Sequence, residues 1–299
     1  MKSEKKKMPA SACRKAFPGL SGVMFGALMG GVLGAVMLAG ASGPAKAQTT
    51  DLVSKTHFRV CADPANSPFS NKDLSGFENE IAGVFAKDLG LPIQYEWFPM
   101  AIGFVRKTLR ENRCDVIIGF AQGHDLVLNT NHYYTSTYVL VTKPGSPIED
   151  VDHLADDRLK GLTLGIIAGS PPATHMARNG LIGKAKPYKL MVDRRVESPA
   201  EQMIADLQSG AIDGAVLWGP MGGYYGKQAG LTVTPLLKEE GAPRMFYRIT
   251  MGVRQGELVW KRKLNSMIRK HQGEIDGILT AYGVPLLDDM GHGLKTGQQ

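Results

Sequence analysis

Three carboxylates, Asp63, Glu78 and Asp125, stand where apolar runs of strand length give way to polar loops. Acids at strand ends can hold a cation or work as a general acid and base. The same positions suit plainer duties. Asp63 precedes Pro64 and Glu78 opens a helical pattern, so both are expected to pair with backbone N–H groups, at a turn and at a helix start. A calcium or lanthanide cage needs about six oxygen ligands or more, and no calcium-loop spacing of acids supplies them. His124 and Asp125 could form a base and its orienting acid, but adjacent side chains rarely face one another, and no Ser or Cys has nucleophile context. No Cys/His pair has zinc-ligand spacing. The chain is expected to be no enzyme and to hold neither metal nor cofactor. What does gather near strand ends is aromatic: Phe69, Phe120, Trp218 and Tyr224 could line an apolar cleft or anchor a partner protein.

The elements that position these residues are legible in order. Phe58, Val60 and Ala62 alternate like a strand that stops at Asp63-Pro64. A loop containing Asn66, Pro68, Phe69 and Ser70 follows, and then Phe77, Ile81, Val84, Phe85 and Leu89 fall at helical spacing, with Gly90 as the stop. A strand over 91–98, a helix over 99–112 and a buried strand over 115–120 complete a doubly wound set, and 133–143 reads as one long strand. A second set comprises a helix over 154–160, a strand over 162–168 closed by Gly169-Ser170-Pro171-Pro172, and a short strand at 190–192. A helix over 198–209 capped by Ser198 and a strand over 214–218, broken sharply at 219–223, complete it. A return strand over 246–254 and long helical material over 257–282 close the chain.

This pattern predicts an α/β fold of two domains. One is discontinuous, residues 50–140 plus 250–299; the other, 145–245, is inserted, with a cleft at the two crossovers. In open parallel sheets ligands sit beyond the carboxyl ends of the strands, where Asp63, Asn66, Pro68, Phe69, Glu78, Gly119, Phe120, Gly169, Ser170, Trp218 and Tyr224 fall.

The chain of 299 residues carries a formal net charge of +7. Residues 1–47 hold seven Lys/Arg and one acid, or +6, so the remainder has 28 basic and 27 acidic groups, near +1. No nucleic-acid footprint survives that subtraction. The basic front, the Gly/Ala/Met/Leu run and Ala45-Lys46-Ala47 mark residues 1–47 as a cleaved export signal, leaving a periplasmic protein with no membrane segment. Cys61 and Cys114 then remain, and an exported pair invites a disulfide. Against it, Cys61 lies late in its strand while Cys114 begins the neighbouring one, an offset beyond the roughly 7 Å Cα separation a bridge tolerates. Both readings stand at this stage.

The opening strand, Pro-Phe loop and Gly76-Phe77-Glu78-Asn79 resemble type II periplasmic solute-binding proteins, as do Leu159-Lys160-Gly161-Leu162 and Gly210-Ala211-Ile212-Asp213-Gly214. Cys61-Ala62-Asp63-Pro64, Pro68-Phe69-Ser70-Asn71, Arg113-Cys114-Asp115-Val116 and Trp218-Gly219-Pro220 with Gly223-Tyr224-Tyr225 resemble a narrower group, the MxaJ/XoxJ-type proteins. Those are binding-protein-like accessories of quinoprotein methanol dehydrogenases, the calcium or lanthanide enzymes that use pyrroloquinoline quinone. The resemblance implies a monomeric accessory that matures or activates the dehydrogenase by direct contact, with the enzyme's cytochrome c as a further candidate partner. The alternatives are a transporter-linked binder of a small, non-zwitterionic solute, and a hydrolase or dehydratase built on Asp63 or Glu78.

The departures from amino-acid binders favour the accessory. Those proteins clamp a carboxylate with an Arg after the third strand, and here 119–129 contains none. They receive the ammonium on an Asp after the late strand, where this chain reads Leu217-Trp218-Gly219-Pro220. A cleft without either charge is expected to be roomy and to stay open, since ligand contacts would not favour closure. The intact mass of periplasmic material is expected to match a chain beginning after Ala47; a chain retaining Met1 would contradict export with cleavage.

Overall fold

The apolar runs and helical spacings assemble into one mixed sheet with helices on both faces. The computed structural model describes residues 52–295. The chain opens with β1 (Phe58–Ala62), a small hairpin of β2 (Ala65–Asn66) and β3 (Ser70–Asn71), α1 (Phe77–Leu89), β4 (Ile93–Trp97), α2 (Phe104–Lys107) and β5 (Val116–Ala121). The long β6 (Leu128–Thr142) leads to β7 (Leu164–Ile167), α3 (Pro171–Arg178), β8 (Lys186–Tyr188), α4 (Pro199–Ser209), β9 (Gly214–Trp218), α5 (Gly219–Gln228) and β10 (Thr232–Pro235). Then β11 (Phe246–Val253) returns and α6 (Leu258–Ala281) closes the described helices.

The sheet order is β4-β1-β5-β11-β6-β9-β7-β8, with β10 also on β6. β1 runs parallel to β4 and β5, whereas β11 is antiparallel to both β5 and β6. β6 is shared: its first ten residues pair with β11, and Tyr138–Val141 pair with β9. Each half of the sheet has its own buried apolar residues. Phe58, Phe77, Phe85, Met251 and Leu264 pack around β1, α1, β11 and α6. Leu154, Leu164, Val216 and Leu236 cover one face of the second half, and Val139, Met203, Leu207 and Leu217 the other.

The first half is pinned by one carboxylate. Asp115, 1% exposed, accepts from Arg59 Nε at 2.7 Å, Arg59 Nη2 at 2.6 Å and Arg254 Nη2 at 2.7 Å, and from Ser54 N at 3.1 Å. Its carbonyl accepts from Trp260 Nε1 at 3.1 Å. β1, the entry to β5, the exit from β11 and the first turn of α6 therefore share one buried polar knot.

Several elements differ from the sequence reading, each for a local reason. The expected helix over 99–112 is one turn only, because Gly103 at φ 96° precedes its first residue and Thr108 at φ −120°, ψ −81° leaves helical geometry directly after Lys107. Residues 154–160 hold only a 3-10 turn, Asp157–Leu159. Leu190–Val192 is not a strand; the strand is β8, and Leu190 and Met191 are exposed, so their apolarity marks surface rather than core. Pro171-Pro172 do not merely close a strand but start α3, since a proline costs nothing at a first helical position. The expected break at 219–223 is α5, whose glycines serve close packing: a Cβ on Gly223 would lie 1.9 Å from Gly283 O, and one on Gly219 2.3 Å from Thr137 O.

Cys61 and Cys114 form a disulfide with Cα atoms 5.4 Å apart. The register argument against it fails because β5 begins at Val116, so Cys114 lies ahead of the strand and the strand repeat does not apply to it. Replacing Asp115 with Ala is expected to cost about 3 kcal/mol or more in urea unfolding, since it strips a carboxylate partner from buried Arg254. A loss under about 1 kcal/mol would show that the knot is not what pins this half.

Candidate functional site

The polar groups at the ends of β1 and β5 converge from different elements. Asp63 follows β1, and its Oδ1 accepts from Ala65 N at 2.8 Å while its Oδ2 accepts from Met100 N at 2.6 Å. It is the turn-capping acid that its place before Pro64 suggested. Glu78 behaves otherwise. The start of α1 is satisfied by Asn79, whose Oδ1 accepts from Gly76 N at 3.3 Å and Asn71 N at 3.1 Å. Glu78 is instead buried against β5, where a Cβ on Gly119 would lie 1.8 Å from Glu78 Oε1. Gly119, at φ 82°, is thus required twice over, by its backbone and by the carboxyl packed on it. Burial first, and the neighbouring Asp63 second, push the Glu78 carboxyl well above the usual carboxylate range, with Arg194 opposing. The helix-capping role expected for Glu78 is therefore corrected: it is a buried acid held toward its neutral form.

Arg194 is the residue the sequence did not reveal. It comes from the loop after β8 and reaches across to donate from Nη1 to Asn66 Oδ1 at 2.7 Å, with Asp63 Oδ2 at 3.9 Å. Nothing in Asp193-Arg194-Arg195 sets it apart from a solvated charge run; only the apposition of the two halves gives it a partner. The Tyr225 hydroxyl makes a second tie, 2.9 Å from Glu201 Oε1 and 3.3 Å from Ser67 O. Between the halves lies a cavity of ≈ 300 Å³, bounded by Asp63-Pro64, Pro99–Ala101 and Leu190–Arg195. The expected roomy, open cleft is accordingly corrected: the cavity is small, and Arg194 spans the gap from a loop.

The remaining sequence-derived positions separate into groups. Phe69 meets Phe77 at 5.1 Å with the rings tilted by 56°, Phe77 meets Tyr282 at 5.8 Å, and Tyr282 lies stacked on Tyr224 at 5.7 Å. Phe69 and Tyr224 are thus joined through a chain of rings crossing from α1 to α5. Pro68 precedes this chain, and its carbonyl accepts from Phe77 N at 3.0 Å. Trp218 sits apart, wedged between Tyr138 at 5.3 Å and Tyr247 at 5.7 Å at the crossovers. Phe120 turns toward His124 at 5.6 Å and packs on the cluster around the disulfide. Gly169 and Ser170 stand on the second half, where Ser170 Oγ donates to Ile167 O at 2.6 Å as α3 begins. Among the described residues no hydrogen bond or ion pair joins the His124 and Asp125 side chains, and Asp125 O accepts from Gln255 Nε2 at 3.2 Å.

A mixed α/β sheet reversed at a long shared strand, with ligand-facing loops at its strand ends, is the type II periplasmic binding protein fold. Residues 58–284 match the family of bacterial extracellular solute-binding proteins, family 3, and the chain belongs to that family. It is 30% identical over 278 residues to Protein MoxJ of Methylorubrum extorquens, covering 84% of this chain and 91% of that protein. Among solved structures, periplasmic binding protein XoxJ from Methylobacterium extorquens AM1 is 41% identical with a TM-score of 0.67, over 78% of this chain and 100% of that one. MxaJ from Methlophaga aminisulfidivorans MPT is 25% identical with a TM-score of 0.65, over 77% and 100%. The export signal expected in residues 1–47 lies outside the described residues; among those described, no helix is long and apolar enough to cross a membrane.

A raised Glu78 pKa means that the folded chain keeps a proton the unfolded chain has lost. Stability is then unaffected below the ordinary value of 4.5 and falls as pH climbs above it, by about 1.4 kcal/mol per unit until the raised value is reached. Glu78→Gln, a neutral mimic, is expected to remove that decline. Urea midpoints at pH 4.5 and 7 should show the variant gaining on wild type only at the higher pH. Equal differences at both would contradict a buried neutral acid.

Proposed function

We propose that this chain is an exported, non-enzymatic accessory of a quinoprotein methanol dehydrogenase, acting on its maturation or activation through direct contact. In this reading residues 50–140 with 250–299 form one domain and 145–245 the inserted second. The observation that carries it is at the mouth of the inter-half cavity. Ile102 is 92% exposed beside Pro99–Ala101, and Leu190, Met191 and Val196, 55%, 62% and 83% exposed, flank Arg194 on the opposite lip. Apolar side chains grouped at a cleft rim are costly in water and mark a surface covered by a partner. A solute binder needs its apolar groups inside the cleft, not on its lips.

The likeness to MoxJ, XoxJ and MxaJ along most of the chain supports the same assignment. The rings first expected as anchors fit less well, because Phe69 and Trp218 are engaged by neighbouring rings of this chain. The anchoring role passes to the lips. Transporter-linked capture of a small polar solute remains the second reading, favoured by one feature: Arg194, Asp63 and Asn66 together could meet such a molecule once the halves part.

Binding of the mature chain to purified methanol dehydrogenase of the same organism, followed by sedimentation velocity, tests the proposal. Met191→Asp combined with Ile102→Asp is expected to weaken the complex at least tenfold while leaving the melting temperature unchanged, because both side chains are exposed. No complex with the wild-type chain, or undiminished binding by the variant, would overturn the contact assigned here.

A further inference from the structure

The sheet ends on β8 at one side and on β4 at the other, and the two edges differ in composition. β8 reads Lys186-Pro187-Tyr188 and is followed by Lys189. Proline and lysine at an edge are common means of refusing a further strand. β4 reads Ile93-Gln94-Tyr95-Glu96-Trp97, holds neither, and pairs with β1 over its whole length without a bulge. Its one charge, Glu96, is engaged by Arg113 at 2.6 Å. Pro92 and Pro99 stand outside the strand and set its ends.

The ladder itself fixes which main-chain groups of β4 are spare. Phe58 N donates to Pro92 O at 2.9 Å and Phe98 N donates to Ala62 O at 3.0 Å, so the even-numbered residues of this stretch face β1. The N–H and C=O groups of Ile93, Tyr95 and Trp97 therefore point away from the sheet. Among the described residues none of them has a hydrogen-bond partner, and no strand lies beyond β4. Nothing buries this edge either: Pro92 and Gln94 are exposed, and Ile93, Tyr95, Glu96 and Trp97 are partly exposed. The side chains alternate with the pleat. Ile93, Tyr95 and Trp97 pack on the core beneath α1, where Tyr95 and Trp97 stack at 4.6 Å, and Gln94 and Glu96 take the other face.

We propose that two copies of this chain join edge to edge through β4, antiparallel, about a two-fold axis at Tyr95. The second copy is the occupant because the strand is complementary to itself. Ile93 then exchanges both main-chain bonds with the second copy's Trp97, and Tyr95 with the second copy's Tyr95, so every spare group is used. Ile93 and Trp97 extend the apolar face, Gln94 meets Glu96 on the polar one, and no like charges stand opposite. A slide of two residues one way sets Glu96 against Glu96, and the other way sets Trp97 against Leu91, beyond Pro92. Because the strands run oppositely, the loops that follow them, with Pro99 and Ile102, lie at opposite ends of the joint and both sets of lips stay uncovered. A five-residue strand is a small joint beside the roughly 1,200 Å² of a stable interface, so the pair forms only in concentrated solution. The monomer that the family resemblance implies is its dilute form, and the inference does not rest on the dehydrogenase reading.

Sedimentation equilibrium of the mature chain is expected to show a reversible monomer and dimer. Gln94 is exposed, so changing its charge tests the joint and not the fold. Gln94→Glu sets like charges opposite Glu96 and should weaken the dimer at least threefold, whereas Gln94→Lys should strengthen it at least threefold. The register is read by cross-linking, since Cys61 and Cys114 are already bonded to each other. Gln94→Cys combined with Glu96→Cys brings cysteines opposite at a Cα separation of about 4.5 Å, within bridging range, and mild oxidation should give a covalent dimer. Either cysteine alone meets its copy only diagonally, at about 7–8 Å, and should cross-link at least tenfold more slowly. Should the double variant misfold, the opposite signs expected of the two Gln94 charges decide the matter. No self-association at ~1 mM chain, a shift of the same sign from both charges, or equal cross-linking by single and double variants would overturn the proposal.

Discussion

Burying a carboxylate is costly unless cations and hydrogen-bond donors surround it, and Asp115 is the place where this chain meets that cost. Two guanidiniums, from β1 and from the exit of β11, converge on it, and the indole of α6 closes on its carbonyl. The parallel start of the first half and its antiparallel return are thereby held in one register. The disulfide from Cys61 to Cys114 ties the same strands one residue away from this carboxylate. A cross-link closing 53 residues removes about 4 kcal/mol worth of unfolded-chain freedom in the entropic account. Glu78 can be kept buried on Gly119 because the strands carrying its surroundings are fixed from below.

The contacts between the halves are of a different kind. They are close approaches of backbone, made possible by glycine at Gly219 and Gly223, together with polar ties from Arg194 and Tyr225. Lys227 Nζ adds a hydrogen bond of 3.0 Å to Ala281 O. A binder that opens and closes on a metabolite must break such contacts on every cycle, and only ligand contacts made in the closed state can offset them. Here the closed contacts are made by the chain's own side chains. That arrangement fits a surface presented to a partner better than a trap for a solute.

Most of the architecture was legible because it rests on local patterns. Strand-length apolar runs ending at Asp63-Pro64, Phe120 and Trp218, and the helical spacing from Phe77 to Leu89, appear as elements within a few residues of where they were read. Glycine was the main source of error. At 219–223 its conformational freedom suggested a break, whereas its missing side chain was what mattered, admitting Gly283 and Pro285 against α5. The candidate site was legible only in part. Asp63, Asn66 and Gly119 do gather, but the helix-start role given to Glu78 belongs to Asn79, and Arg194 carries no local signal at all. Its importance exists only once two segments 128 residues apart are brought together. Phe120 and Trp218 illustrate the same limit from the other side: position at a strand end does not say which way a ring will turn.

In the function proposed above, a partner enzyme and not a metabolite is what this fold serves. The most direct measurement is methanol dehydrogenase activity, together with dehydrogenase protein level, in cells from which this chain has been deleted. The account predicts dehydrogenase protein of normal size but with strongly reduced activity, restored when the chain is supplied in trans. Full activity in the deleted cells, under growth on methanol, would contradict it.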